Sequence, residues 1–160
     1  MKISQKLDSY FETANNHIDM IHRAITHIKP YYPLQSDFKE NIEDDTLLFA
    51  LDSLIFRFAK LQDWLGQKIF KTFLKYEEYP VEDISFLEVI KVLEKENILS
   101  IDMWSVFREI RNELAHEYPN YEQIAQNINF VIDNSDNLIN ISTNLQKEFL
   151  RIKEIKNETH

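Results

Sequence analysis

Hydrophobic residues recur every three to four positions along most of the chain, which is the period of an α-helix with one buried face. This spacing predicts a first helix over residues 3–29, which Pro30 and Pro33 end. Residues 46–77 are the most apolar stretch and predict a second, long helix. The apolar positions are Ile3, Leu7, Phe11, Ala14, Ile18, Ile21, Ile25 and Ile28 in the first helix, and Leu47, Leu51, Leu54, Phe58, Leu61, Leu65, Ile69 and Phe73 in the second. Gly66 inside the second helix allows a neighbouring element to approach closely.

Two shorter helices are predicted by their starting residues. Ser85 followed by Glu88 has the spacing of a capping box, so a helix is expected over residues 86–97. The next helix is expected to begin after Ser100 or Asp102 and to run to about residues 116–117. Pro119 then disfavours helical geometry at the preceding residue.

The last helix is predicted over residues 121–155. Asn120 and Gln123 again have capping-box spacing. Its apolar positions alternate in steps of three and four, as in a helix-bundle seam, and Ser135 and Ser142 occupy two of the seam positions. Small residues there predict tight approach of a neighbouring helix.

These elements predict an all-α fold, an antiparallel bundle of four or five helices, in one domain over residues 1–160. A loop over residues 30–45 joins the first two helices, and residues 156–160 are expected to be disordered. With one glycine and four prolines, the chain has too few turn residues for a β-sandwich or barrel. The length of 160 residues suffices for one hydrophobic core.

Composition excludes several classes of site. The chain has no cysteine, so disulfides and thiolate chemistry are ruled out, and one glycine rules out a glycine-rich phosphate loop. His17, His22 and His27 are five residues apart, which turns neighbours about 140° from each other on a helix and does not suit a metal site. The most apolar stretch carries charged residues and is not expected to cross a membrane. A cytoplasmic protein is therefore expected.

The formal net charge of −9 is opposite to that of a protein that binds nucleic acid mainly by neutralising phosphates. Contact with nucleic acid would require a local basic patch, or one built by two chains. A basic partner surface is equally compatible with this charge.

The stretch RNELAHEY, residues 111–118, carries the densest cluster of reactive side chains. On an ideal helix Asn112 and His116 share a face, and Arg111 and Tyr118 share another. Arg108 lies one turn before Asn112. An imidazole can move the proton of a ribose 2′-hydroxyl, and a guanidinium can stabilise charge on a phosphate, so this set suits cleavage of RNA. The simpler interpretation is structural.

In that structural interpretation, Arg111 pairs with Glu113 or Glu117, and His116 caps the end of the helix. Arg111 and His116 also point about 140° apart on an ideal helix, so a working site could need the same stretch from a second chain.

In a small all-helical protein, this stretch resembles the R-x4-H-x-Y signature of the HEPN superfamily, specifically the HepT-like ribonuclease toxins. Arg111, His116 and Tyr118 match the motif, and Asn112 matches the polar residue usual after the arginine. A second patch, residues 54–71, is similar to a helix of the related nucleotidyltransferase substrate-binding proteins. That likeness is carried by Arg57, Phe58, Asp63 and Trp64.

The resemblance implies a metal-independent endoribonuclease without a cofactor, acting as the toxin of a toxin–antitoxin pair. It implies a homodimer in which two R-x4-H motifs line one RNA cleft, with Arg111 and His116 as catalytic residues and Arg108 and Asn112 supporting them. It also implies a cognate minimal nucleotidyltransferase as antitoxin, which adds AMP to Tyr118.

Two alternatives stay open from the sequence. The chain could be a non-catalytic binding partner of a nucleotidyltransferase, in which case Arg57, Asp63 and Trp64 matter more than His116. It could also be a purely structural dimeric bundle, which predicts that Arg111 and His116 are buried or paired within one chain, away from any cleft.

Overall fold

The computed structural model describes residues 1–38, 40, 45–115 and 121–156. Within this part of the chain the secondary structure is helical, with no strand, and the all-α prediction is confirmed. The α-helices are α1 (Ile3–Ile28), α2 (Asp45–Trp64), α3 (Phe70–Tyr76), α4 (Phe86–Lys95), α5 (Ile101–Leu114) and α6 (Tyr121–Ile155). A π-helical turn, Leu65–Ile69, joins α2 to α3. Because the chain stays helical from α2 through this turn into α3, these three elements form one continuous helix. The described elements therefore make up a bundle of five helices.

Helix α1 lies antiparallel to both of its main neighbours. Along α2, Tyr10 of α1 contacts Trp64 and His17 contacts Arg57, so the contacts run in opposite directions in sequence. Along α6, Asp8 pairs with Lys153, Phe11 stacks on Phe149 and Asn15 bonds Gln146, which is the same reversed order. These contacts support the predicted bundle of long antiparallel helices.

One hydrophobic core runs through the bundle, and its largest members are aromatic. Phe11, Phe58, Phe70, Phe73, Phe107 and Phe149 are fully buried. Phe58 of α2 meets Phe107 of α5 edge to face, with ring centres 5.9 Å apart. Full burial of a phenylalanine side chain contributes about 1.5–3 kcal/mol, so contacts of this kind set the position of α5 on α2.

The seam predicted for α6 is buried as expected. Ile128, Val131, Leu138, Leu145 and Phe149 lie in the core. Ser135 and Ser142 are also buried. Small side chains at these positions leave room for the neighbouring helices, which is what the sequence pattern predicts.

The ends of the helices follow the local signals in the sequence. Ser85 Oγ accepts a hydrogen bond from the backbone N–H of Glu88 at the start of α4, and Ser100 Oγ accepts one from Met103 at the start of α5. Helix α5 ends at Leu114, two to three residues before the end predicted at about residues 116–117. The predicted cap Asn120 lies outside the described residues.

The loop between α1 and α2 is partly packed against the bundle. Leu34 and Phe38 are buried. Asn129 of α6 binds both backbone groups of Leu34, at 2.8 Å and 2.9 Å. These bonds satisfy a buried stretch of loop backbone and hold it on α6.

Lys156, just after the end of α6, lies against α3. Its ammonium group donates a hydrogen bond to the backbone carbonyl of Tyr76 at 2.8 Å and lies 4.4 Å from the centre of the Tyr76 ring. Residues 157–160 lie outside the described residues. No helix in the described part of the chain combines the length and apolar character needed to span a membrane.

Candidate functional site

The end of α5 carries polar residues on the same helix face as its buried aromatic anchors. Trp104 and Phe107 are buried, and Arg108 and Arg111 follow at helical spacing of three to four residues. The Trp104 ring packs against Phe70, with ring centres 4.9 Å apart. Because the anchors fix the rotation of α5, Arg111 faces Asp63 of α2.

Arg111 forms a two-point ion pair with Asp63 of α2. The guanidinium Nε and Nη2 donate to the two carboxylate oxygens at 3.1 Å and 2.8 Å. About a third of the Arg111 side chain, 35%, and 26% of the Asp63 side chain stay exposed. Hydrogen bonding to Asp63, and the charge of its carboxylate, raise the pKa of Arg111 above its ordinary value. The pair joins the two sequence patches, which lie on different helices.

This pairing corrects the structural interpretation of Arg111. The partner is Asp63, and not Glu113 on the same helix. Glu113 is two positions along α5 and so points about 200° away from Arg111, whereas Asp63 is brought close by the packing of α5 on α2. Glu117, the other partner considered, lies outside the described residues.

A pocket of about 500 Å³ opens beside this ion pair. It lies between α2, α5, the π-helical turn and the start of α4. Its lining residues are Gln62, Asp63, Gly66, Gln67, Phe86, Trp104, Arg108, Arg111 and Asn112. Its size falls within the usual range of small-molecule sites, about 300–1,000 Å³. Of the predicted site residues, Asp63, Arg108, Arg111 and Asn112 therefore come together around one pocket.

Gly66 makes the wall of this pocket possible. A β-carbon at this position would lie 3.2 Å from Trp104 Cζ2 and 3.7 Å from Phe86 Cζ. The first distance is tighter than an ordinary van der Waals contact. The prediction that Gly66 allows close approach of a neighbour is confirmed, and the neighbour is the Trp104 ring. The π-helical turn around Gly66 is of a kind frequent at functional sites.

Two buried polar atoms among the lining residues have no hydrogen-bond partner in the described part of the chain. They are Gln62 Oε1 and Trp104 Nε1. Gln62 is 4% exposed and Trp104 is 3% exposed. Most buried polar groups in proteins are paired, because leaving one unpaired costs about 1–3 kcal/mol. No pattern in the sequence marks either residue, because an unpaired polar atom arises only when the helices pack.

Arg57, Phe58 and Trp64, which carry the likeness of the second patch together with Asp63, are not among the residues that line the pocket. Arg57 lies 3.1 Å, Nη1 to Nδ1, from His17 of α1. Burial, together with the charges of Arg57 and Lys60, lowers the pKa of His17, so a neutral imidazole accepts the hydrogen bond from Arg57. Trp64 Nε1 donates to the backbone carbonyl of Tyr10 at 2.8 Å. Arg57 and Trp64 therefore join α2 to α1.

His116 and Tyr118, the remaining motif residues, lie outside the described residues. In the described part of the chain, no group of three or more His, Asp and Glu side chains has the arrangement of a metal site. Comparison with known proteins finds no match: no family model, no curated protein and no solved structure is similar to this chain.

Proposed function

We propose that this protein is a HepT-like endoribonuclease of the HEPN superfamily, the toxin of a toxin–antitoxin pair. One observation carries the proposal. Arg111 and Asn112 of the motif lie 48 or more positions after Asp63 of the second patch, yet the three residues line one pocket, together with Arg108. If each motif had matched its family by chance, there would be no reason for residues of both motifs to line the same pocket.

Arg111 is suited to bind the phosphate that is cleaved. A guanidinium has five N–H donors, and Asp63 uses two of them, which leaves three for a phosphate. Asp63 holds the guanidinium plane in one orientation and so positions it. Arg108 is exposed and has no ion pair with any described residue, so it can add a second positive charge at the same rim.

In this proposal His116 performs the acid–base step on the ribose 2′-hydroxyl and the leaving oxygen, without a metal or cofactor. Asn112 orients His116 or the phosphate. Tyr118 accepts AMP from a cognate minimal nucleotidyltransferase, which inactivates the toxin. We place the enzyme in the cytoplasm, where its RNA substrate is.

A homodimer is part of the proposal, because two motifs together would complete the site. Phe49 and Phe56 support it. They lie seven positions apart on α2 and so share one face, and they are 69% and 50% exposed. Exposed large apolar side chains on one face often mark an interface between chains.

The test is cleavage of cellular RNA by the purified protein and by His116→Ala and Arg111→Ala, with Arg23→Ala as control. Arg23 is an exposed arginine paired with Asp19. We expect each motif variant to lose about 10²–10⁴-fold in rate and the control to match the wild type. Cleavage should survive a chelator and leave cyclic phosphate ends. Equal cleavage by all variants would overturn the proposal.

The alternative, a non-catalytic partner of a nucleotidyltransferase, is favoured by the charge around Arg111. Asp63 neutralises this guanidinium and the chain carries a net charge of −9, both of which oppose binding of a polyanion. This alternative predicts harmless expression without the nucleotidyltransferase. It also predicts that Asp63→Ala, and not His116→Ala, weakens binding of that enzyme in a pull-down.

A further inference from the structure

Arg57 and Lys60 of α2 are two cations that form no ion pair with any described residue. Arg57 is half-buried and Lys60 is exposed. In a chain with 27 acidic and 18 basic residues, two neighbouring cations without a carboxylate partner are unexpected. Because removing a charge from water is costly unless the charge is paired, this arrangement suits an anionic ligand.

The contact between Arg57 and His17 orients the guanidinium without neutralising it. Nη1 of Arg57 donates to Nδ1 of His17 at 3.1 Å, and the lowered pKa of His17 keeps the imidazole neutral. Arg111 differs, because its partner is the carboxylate of Asp63. A guanidinium has five N–H donors, so Arg57 keeps both donors and its full charge for a ligand.

Both cations lie against one exposed ring. The guanidinium carbon of Arg57 and the ammonium nitrogen of Lys60 are each 5.5 Å from the centre of the Phe56 ring, and Phe56 is 50% exposed. The two charges are therefore gathered at the surface of α2. The flexible stem of Lys60 allows its ammonium group to reach an anion that Arg57 binds.

This basic pair lies beside the Arg111 ion pair on the same helix. Lys60 is three residues before Asp63, which corresponds to about 4.5 Å along the helix axis, so the two are neighbours on the surface of α2. A polyanion with one phosphate on Arg111 could therefore place another on the basic pair. With a net charge of −9, the chain needs such a local patch for any contact with nucleic acid.

We propose that Arg57 and Lys60 form a second phosphate-binding site, which holds the backbone of the RNA substrate next to the phosphate bound by Arg111. The inference rests on the proposed function and extends its substrate contacts across α2. A phosphate has several acceptor oxygens and can accept hydrogen bonds from both cations at once. Because the contacts are to the backbone, the site provides affinity and register without sequence preference.

The experiment measures binding of a fluorescein-labelled oligouridylate by fluorescence anisotropy at several salt concentrations. His116→Ala is the parent, so that the RNA stays intact, and Arg57→Gln with Lys60→Gln is the test variant. Arg57→Gln keeps an N–H that can donate to His17. For single strands, log affinity falls with log salt by about 0.7 per neutralised phosphate, so we expect slopes of about −1.4 for the parent and about −0.7 for the variant. At low salt the variant should bind about tenfold more weakly.

Controls separate the site from general charge and from folding. Arg23→Gln with Lys147→Gln removes one exposed arginine and one exposed lysine on α1 and α6, and should bind RNA as the parent does. Lys60→Arg keeps the charge and should do the same. Thermal melting checks the fold of each variant, and analytical ultracentrifugation checks its oligomeric state. If the test variant does not fold, Lys60→Gln alone, at an exposed position, should weaken binding about threefold.

Four outcomes would overturn the second phosphate site. They are no RNA binding by the parent at low salt, equal affinity and slope of the test variant and the parent, an equal loss in the matched control, and a loss of RNA binding that accompanies loss of a dimer. The last would assign the basic pair to the interface between chains.

The failure of the proposed function is separate. A protein that cleaves RNA but shows equal affinity and slope for the test variant and the parent keeps its function and loses the second site. A protein that binds RNA through Arg57 and Lys60 but does not cleave it keeps the site and loses the ribonuclease assignment.

Discussion

The Asp63–Arg111 ion pair should couple α2 to α5 measurably in stability. Hydrogen bonds to charged groups contribute about 1.5–3 kcal/mol, whereas exposed ion pairs contribute about 0–1 kcal/mol. This pair has two-point geometry, but a third of Arg111 is exposed to water, which screens the interaction. We therefore expect a coupling free energy of about 1 kcal/mol.

A double-mutant cycle isolates the interaction energy between the two side chains, because the effects of each single substitution on stability cancel. Asp63→Asn keeps the shape of the side chain and removes its charge, and Arg111→Met keeps the apolar stem that packs along the helix. The free energy of unfolding is measured by urea denaturation for the wild type, both single variants and the double variant. Repeating the cycle at high salt should reduce the coupling, since the pair is partly exposed.

The chain contains a matched control for this cycle. Arg23 and Asp19 on α1 form another arginine–aspartate pair, at 3.2 Å, with 70% and 61% of their side chains exposed. Pairs of this kind, one turn apart on a helix surface, contribute about 0.3–0.5 kcal/mol. A coupling for Asp63 and Arg111 no larger than that of the control pair would refute the bridging role assigned here.

Three further predictions concern stability. Phe107→Ala removes a fully buried ring that meets Phe58 edge to face, and should lower the free energy of unfolding by about 3–5 kcal/mol in urea denaturation. Ser142→Ala removes a buried hydroxyl without a partner in the described chain, so stability should stay unchanged or rise by about 0.5–1 kcal/mol. Burial, together with a hydrogen bond to Glu96 that requires a proton, raises the pKa of Glu77 to about 7. Since the folded state then binds this proton more tightly than the unfolded chain, stability should fall as pH rises from about 4.5 to about 7. Glu77→Gln should remove this part of the pH dependence.

Each of these three results has a control and a contrary outcome. Phe86→Ala, at an exposed ring, should cost much less than Phe107→Ala, and similar losses would contradict the packing described. A clear destabilisation by Ser142→Ala would show that the hydroxyl has a partner. Glu96→Gln should weaken the pH dependence of stability, because Glu96 is the neighbour that contributes most to raising the pKa of Glu77. An unchanged pH profile in Glu77→Gln would reject the assignment.

The positive charge of the candidate site is confined to one rim of the pocket. The chain carries a net charge of −9, yet two arginines from α5 meet at one rim. Asp63 compensates only one of them. Association with a polyanion should therefore depend on the local field of this rim, and it should weaken only modestly as salt is added, because one or two phosphate contacts release few counterions.

Local residue patterns predict the helical bundle and the positions of its helices. The starts of α4 and α5 follow from Ser85 and Ser100, and the burial of Ser135 and Ser142 follows from the seam of α6. These features were predictable because capping and one-sided burial depend on residues three or four positions apart. The sequence also singled out Asp63, Arg108, Arg111 and Asn112, but not their mutual arrangement.

The surroundings of Arg111 depend on how the helices pack against one another. Its partner is Asp63, 48 positions earlier in the chain, and the pocket beside it depends on Trp104 passing close to Gly66. The orphaned atoms of Gln62 and Trp104 are likewise a property of the packed helices. Residues that distant in sequence meet only after the core has fixed the rotation and spacing of α2 and α5, and no local pattern encodes that geometry.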